Sequence, residues 1–245
     1  MKHLAHKKIV LVIVEGPSDD AALGVMLNQI YEKDSVYVYI MHGDITARTG
    51  VTSQNIISKI GNEVRGYAKS HHYVAKDFKQ IIHIVDTNGV YIPEDKILEE
   101  QDCNEILYES DGIHTSNRQA IIRRNQQKQG NLYRLMSTGQ IWKIPYKVYY
   151  MSCNLDHVLH NKRNSTDENK EDDAYAFAIR YRKNLEGFVK FICESDFSVG
   201  GGEYKETWAY IENSINSIER HTNLGICITE ELQNRPDRAC KAQTD

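Results

Sequence analysis

The run Ile9-Val10-Leu11-Val12-Ile13-Val14-Glu15-Gly16-Pro17-Ser18-Asp19-Asp20 changes character twice within twelve residues. Six aliphatic side chains without a polar interruption read as a strand covered on both faces, the arrangement of parallel sheets. Gly16 ends it, and Pro17 or Ser18 opens a helix in which Ala21, Ala22, Leu23, Met26, Leu27 and Ile30 recur at helical spacing. Asp19 and Asp20 fall in that helix's first turn, where carboxylates suit the helix dipole. The chain thus begins strand, tight turn, helix, with Glu15 at the carboxyl end of the strand.

The alternation continues outward from there. Val36–Met41 reads as a second strand, ending at His42-Gly43-Asp44. Ser53 is placed to cap a helix with the apolar stripe Ile56, Ile57, Ile60, Val64 and Tyr67. A third strand, Gln80–Val85, stops at Asp86-Thr87-Asn88-Gly89, and a helical, basic segment occupies about Thr115–Thr138. A fourth strand, Lys147–Met151, ends at Ser152-Cys153-Asn154-Leu155-Asp156. The pattern over 1–160 predicts an α/β domain on a mostly parallel sheet of four or more strands with helices on both faces, carrying a basic helical insertion at about 112–145. Residues 161–173 read as a polar loop. Helices around Asp173–Glu194 and Glu206–His221, separated by Gly200-Gly201-Gly202, make an appended helical part over 161–232, and 233–245 reads as a flexible tail.

Apolar residues at 40% and charged residues at 26% give a globular balance rather than a disordered one. No apolar run approaches the ~20 residues of a spanning helix, and the basic start Met1–Lys8 is not followed by a signal-peptide core, so a cytoplasmic protein without a membrane partner is expected. Five cysteines without a CxxC pair indicate neither a disulfide framework nor a zinc knuckle. The net charge of −4 says little, but its distribution says more. No acid lies between Asp111 and Asp156, while Arg118, Arg123, Arg124, Lys128, Arg134, Lys143 and Lys147 do. This interval is the candidate nucleic-acid-binding surface, with a solvated basic helix as the plain alternative.

Each expected strand is followed by an acid: Glu15, Asp44, Asp86 and Asp156. Ligands of open parallel sheets bind at the carboxyl ends of the strands. Carboxylates gathered there repel one another unless a cation neutralises them, and oxygen-only ligands suit Mg²⁺ or Mn²⁺. Asp44 also reads as a helix cap; Glu15 does not, because glutamate caps poorly. His157 and His160, beside Asp156, are candidate proton carriers.

Val14-Glu15-Gly16-Pro17-Ser18-Asp19-Asp20, set between a strand and a helix, resembles the first motif of TOPRIM domains. Ile84-Val85-Asp86-Thr87-Asn88 resembles their Asp-x-Asp motif at the end of the third strand, with Asn88 in place of the second acid. Ser152 to His160 is similar to the acid-bearing segment of defence-associated TOPRIM nucleases, with Asp156 where those carry Glu. These include the overcoming-lysogenization-defect nucleases, the RloB-like abortive-infection proteins and the small subunit of the PARIS antiphage system. The resemblance covers roughly residues 8–160. It implies a TOPRIM-like fold and a Mg²⁺- or Mn²⁺-dependent endonuclease acting on DNA or RNA, tRNA included, as a toxic antiphage effector. Glu15, Asp86 and Asp156 are the implied catalytic residues. Glu15 and Asp86 would hold one ion and Asp19 and Asp156 a second, with Asn88 offering a neutral carbonyl oxygen. Lys143 or Lys147 would neutralise transition-state charge.

The chain has no Gly-x-x-x-x-Gly-Lys-Ser/Thr loop, so the resemblance implies a separate ATPase or sensor partner; self-association is left open. A different class of reading is a catalytically weak regulatory or nucleic-acid-binding subunit of such an ATPase, with Asn88 marking a decayed site. A nucleotide-binding Rossmann-like protein is disfavoured, because Glu15-Gly16-Pro17-Ser18 lacks the Gly-x-Gly-x-x-Gly turn.

Overall fold

The computed structural model describes residues 7–32 and 34–235. Its strands are β1 (Ile9–Val14), β2 (Ser35–Ile40), β3 (Phe78–Asp86), β4 (Ile97–Glu99), β5 (Leu107–Tyr108), β6 (Ile113–Thr115), β7 (Gln140–Ile141) and β8 (Ile144–Met151). Its helices are α1 (Pro17–Ile30), α2 (Ile56–Ser70), α3 (Arg118–Met136), α4 (Leu155–His160), α5 (Asp167–Tyr181), α6 (Leu185–Glu194), α7 (Tyr204–Ile211) and α8 (Leu224–Gln233). The main sheet has the order β2-β1-β3-β8-β7, and the first four of these strands run parallel. β7 closes the edge as an antiparallel hairpin with β8. A small second sheet, β4-β6-β5, branches off after β3.

Alternate side chains of each central strand feed two cores, as the pleat requires. Val10, Val12, Val14, Ile82, Ile84, Tyr149 and Met151 face α1, α4, α5, α6 and α8. Ile9, Leu11, Ile13, Ile81, Val85, Val148 and Tyr150 face α2, α3 and α7. Every residue of β1 is buried, which is why its sequence carries no alternation. Fully burying each such side chain contributes roughly 1.5–3 kcal/mol.

From β1 the chain crosses to β2 on one side, and from β3 it crosses to β8 on the other. The strand order reverses between β1 and β3, so their carboxyl ends part above a crevice, the usual ligand position of an open α/β sheet. Glu15 and Asp86 stand on either side of it.

Several boundaries differ from the sequence reading. Helix α2 begins after Asn55, not at a Ser53 cap. Helix α3 is no insertion: it is the crossover from β3 to β8, and its Leu132 and Leu135 cover the sheet. The real insertion is the small sheet before it. Thr166 caps α5 inside the stretch read as a loop, and Asn184 caps α6, dividing what read as one helix into two. Helix α7 stops at Ile211, and α4 and α8 are additional. Within the 161–232 part, α5, α6 and α8 complete one core and α7 the other. Of the expected tail, 236–245 lie outside the described residues. No helix among those described is long and apolar enough to cross a membrane, and Cys103, Cys153, Cys193 and Cys227 are unpaired thiols.

Candidate functional site

Side chains tie the strand ends together at the crevice. The Glu15 carboxylate accepts the Asp86 N–H at 3.2 Å, joining the ends of β1 and β3. Asp19 turns back from the first turn of α1, and its Oδ2 accepts the N–H groups of Glu15 (3.1 Å) and Gly16 (3.0 Å). Asp86 Oδ1 accepts the Leu155 N–H at 3.0 Å, which fixes the start of α4 and with it Asp156. All four acids line one cleft of about 720 Å³, together with Arg163 and Lys170. Across it, Tyr108 and Asn164 exchange hydrogen bonds: the Tyr108 N–H donates to Asn164 Oδ1 (2.9 Å), and Asn164 Nδ2 donates to the Tyr108 carbonyl (3.1 Å).

Burial and mutual repulsion set the protonation of this cluster. Burial, then the negative charge of Asp44, pushes Glu15 from 4.5 up to about 8. Burial and the neighbouring Glu15 hold Asp86 well above the usual carboxylate range. Burial also raises Asp19 and lifts Asp156 to about 6. Asp44 behaves oppositely: burial pushes it up, but Lys128 and the hydrogen bonds from Thr46 outweigh that and lower it.

The sign of the resulting pH dependence follows. A carboxyl raised in the folded state contributes stability that is fully present below its unfolded value and is lost as pH rises through the folded one. For Glu15 that window runs from 4.5 to about 8. Without divalent ions, thermal stability is therefore expected to fall as pH rises from 5 to 8, and saturating Mg²⁺ is expected to flatten the slope. A metal-free melting temperature that rises across this range would contradict the assignment.

Not all the sequence candidates meet. Glu15 and Asp86 touch, while Asp156 shares their cleft and feels the charges of Lys170 and Asp19 there. Among the described residues, no three His, Cys, Asp or Glu side chains converge closely enough to hold an ion by themselves. The donors are instead two adjoining carboxylates, with Asp19, Asp156, Glu105 and Asp167 also on the cleft, which is open on one side. This fits a Mg²⁺-type ion, which keeps several waters and is bound through one or two carboxylates plus substrate phosphate. Asn88 is engaged elsewhere: its Oδ1 accepts from Lys128 at 2.6 Å.

The basic interval does not form one surface. Lys128 is fully buried and paired with Asp44. Arg124 donates to the Asn88 carbonyl (2.7 Å) and the Tyr108 hydroxyl (3.1 Å), and Arg118 to the carbonyls of Ile97 (3.0 Å) and Glu94 (2.7 Å). Lys147 pairs with Glu230 at 2.7 Å, on the strand below the cleft. Arg123, Arg134 and Lys143 are exposed. Of the cations on the cleft itself, Arg163 and Lys170 come from the stretch read as a polar loop, where periodicity gave no signal. The inward course of Lys128 was legible, because 121, 125, 128, 132 and 135 are spaced as one helix face, and all five are buried. His157 is buried and lowered to about 4 by that burial, with Arg163 and Arg220 nearby. His160 packs edge-on against Phe177 at 5.7 Å, and neither histidine lines the cleft.

Compared with protein-family models, curated proteins and solved structures, the chain matches none of them.

Proposed function

We propose that the protein is a Mg²⁺- or Mn²⁺-dependent nuclease that hydrolyses phosphodiester bonds of DNA or RNA. The observation that carries this reading is the Glu15–Asp86 contact at the switch point of the sheet, where two half-buried carboxyls share a cleft with Asp19 and Asp156. Glu15 and Asp86 would hold the ion. When bound it would supply Lewis-acid polarisation of a phosphoryl oxygen and acidify a water.

The chain's own groups do the rest. Lys170 and Arg163, the cations on the cleft, hold the phosphate, and Arg163 suits it with a planar fork. Asp156, lifted to about 6, is matched to accept the proton of an attacking water near neutral pH. Arg123, exposed near the end of α3 that lies by Asn88, extends the contact to neighbouring phosphates in a salt-sensitive, largely sequence-independent way. The resemblance to defence-associated nucleases extends the proposal to a toxic antiphage effector working with a separate ATPase or sensor. One observation favours the second reading, a weak regulatory subunit: the side-chain oxygen of Asn88 is taken up by the Lys128 ammonium.

The test is incubation with mixed single- and double-stranded DNA and RNA over a Mg²⁺ and Mn²⁺ series, with and without candidate partner ATPases. Cleavage that EDTA stops and Lys170→Met slows by ~10²-fold is expected, the scale of losing one charge-stabilising group. Cleavage unaffected by EDTA would overturn the metal-dependent reading.

A further inference from the structure

Lys128 carries an ammonium into the interior. Its side chain is 0% exposed, and α3 places it on the face that also buries Ile121, Asn125, Leu132 and Leu135. Its Nζ donates to Asp44 Oδ2 and, at 2.6 Å, to Asn88 Oδ1. A charge held out of water persists only where an opposite charge and hydrogen bonds compensate it, and both acceptors are themselves fixed.

Asp44 Oδ1 is occupied by the Thr46 N–H (2.7 Å), the Thr46 hydroxyl and the Ala47 N–H (3.3 Å), which leaves Oδ2 for the ammonium. Asn88 stands in the left-handed region at φ 50, a conformation asparagine tolerates. Its N–H donates to the Cys153 carbonyl (2.7 Å), and its own carbonyl accepts from Arg124 (2.7 Å). With the backbone held on both sides, the side-chain oxygen is aimed at Nζ. The ammonium therefore sits between a carboxylate oxygen and an amide oxygen, donors that a hard cation also takes. Its charge is felt by both Glu15 and Asp86.

We propose that Lys128 is a built-in cation: its ammonium stands where a further divalent ion would otherwise lie, and Asn88 is an amide because a single charge needs only the one carboxylate of Asp44. The proposal rests on the reading of these strand ends as a hard-cation site, and it goes beyond that reading by assigning Asn88 and Lys128 as a matched pair. On this account Asn88 is not a decayed aspartate. Restoring the acid alone accomplishes little while the ammonium remains. Removing the ammonium and restoring the acid together opens a site with Asp44 and residue 88 as its carboxylate ligands.

The experiment counts Mn²⁺ bound per chain, by calorimetric titration and by electron paramagnetic resonance of the unbound ion. Lys128→Met combined with Asn88→Asp is expected to bind one more Mn²⁺ than wild type. Asn88→Asp alone should leave the count unchanged, and adding Asp44→Asn to the combined variant should lose the extra ion. Equal counts in wild type and the combined variant, or a gain from Asn88→Asp alone, would overturn the proposal. Failure of the Glu15–Asp86 reading looks different: wild type would bind no ion, while the combined variant would still gain one. If the combined variant does not fold in EDTA, its circular dichroism in Mn²⁺ gives a second readout. Recovery of the helical signal is expected, and no recovery at saturating Mn²⁺ would count against the built-in cation.

Discussion

Glu15→Gln is expected to abolish divalent-ion-dependent cleavage, by ~10²–10³-fold or more, while leaving the protein folded and, without metal above pH 8, more stable than wild type. The side chain keeps its length and an oxygen for the Asp86 N–H, so the tie between β1 and β3 survives. The substitution removes the charge. In wild type, burial and the nearby Asp44 push this carboxyl up to about 8, so above that pH the folded state must carry an anion it resists, and glutamine removes that cost. Loss of activity together with a gain in metal-free stability separates a ligand held in readiness for a cation from a residue that only supports the fold. Thermal melts at pH 9 in EDTA, paired with cleavage assays in Mn²⁺, read both effects. A variant less stable than wild type under those conditions would mean that Glu15 is structural.

Gly89→Ala should cost the fold more than any surface change, about 2–5 kcal/mol, from left-handed backbone strain of ~1–2 kcal/mol and overpacking of ~1–3 kcal/mol. Gly89 follows Asn88 in the turn leaving β3, and its φ is +66. A Cβ there would stand 2.4 Å from Ile218 Cγ2 and 2.8 Å from Ile113 Cδ1. Gly50 provides the comparison: its φ is +75, but nothing lies within 4 Å of the added carbon. Gly50→Ala should therefore show the backbone strain alone. Urea unfolding of both variants isolates the packing contribution, and equal losses would show that Ile113 and Ile218 yield freely. Because Asn88 and Asp86 flank the same turn, Gly89→Ala should also weaken Mn²⁺ binding, whereas Gly50→Ala should not.

The sheet was legible because buried parallel strands leave a strong signature, and Ile9–Val14 has no other economical use. The strand-end acids followed from it, since a strand fixes which residue reaches the carboxyl edge. What the sequence concealed had physical reasons as well. The β7–β8 hairpin turns on Trp142 and Lys143, both at positive φ (50 and 63), without the Asn or Gly that announces such a turn. Strands β4, β5 and β6 are two or three residues long, too short for periodicity to register. Charge counted along the chain also misled: Arg118, Arg124 and Lys128 read as a basic surface, yet each donates to an acceptor of this chain. The 121-125-128-132-135 spacing marks an inward face that the count of charges passed over, and Lys128 is accommodated there by its partners Asp44 and Asn88.

On the proposed reading, a divalent cation bound by Glu15 and Asp86 would displace protons from these raised carboxyls into solvent. Calorimetric titration of Mn²⁺ at pH 7, in two buffers of different ionisation enthalpy, measures binding and proton release together. Saturable binding with net proton release is expected from wild type, because burial and Asp44 push the Glu15 carboxyl up to about 8, and both binding and release are expected to be lost in Glu15→Gln. Identical titrations for the two proteins, whether both bind Mn²⁺ or neither does, would contradict it.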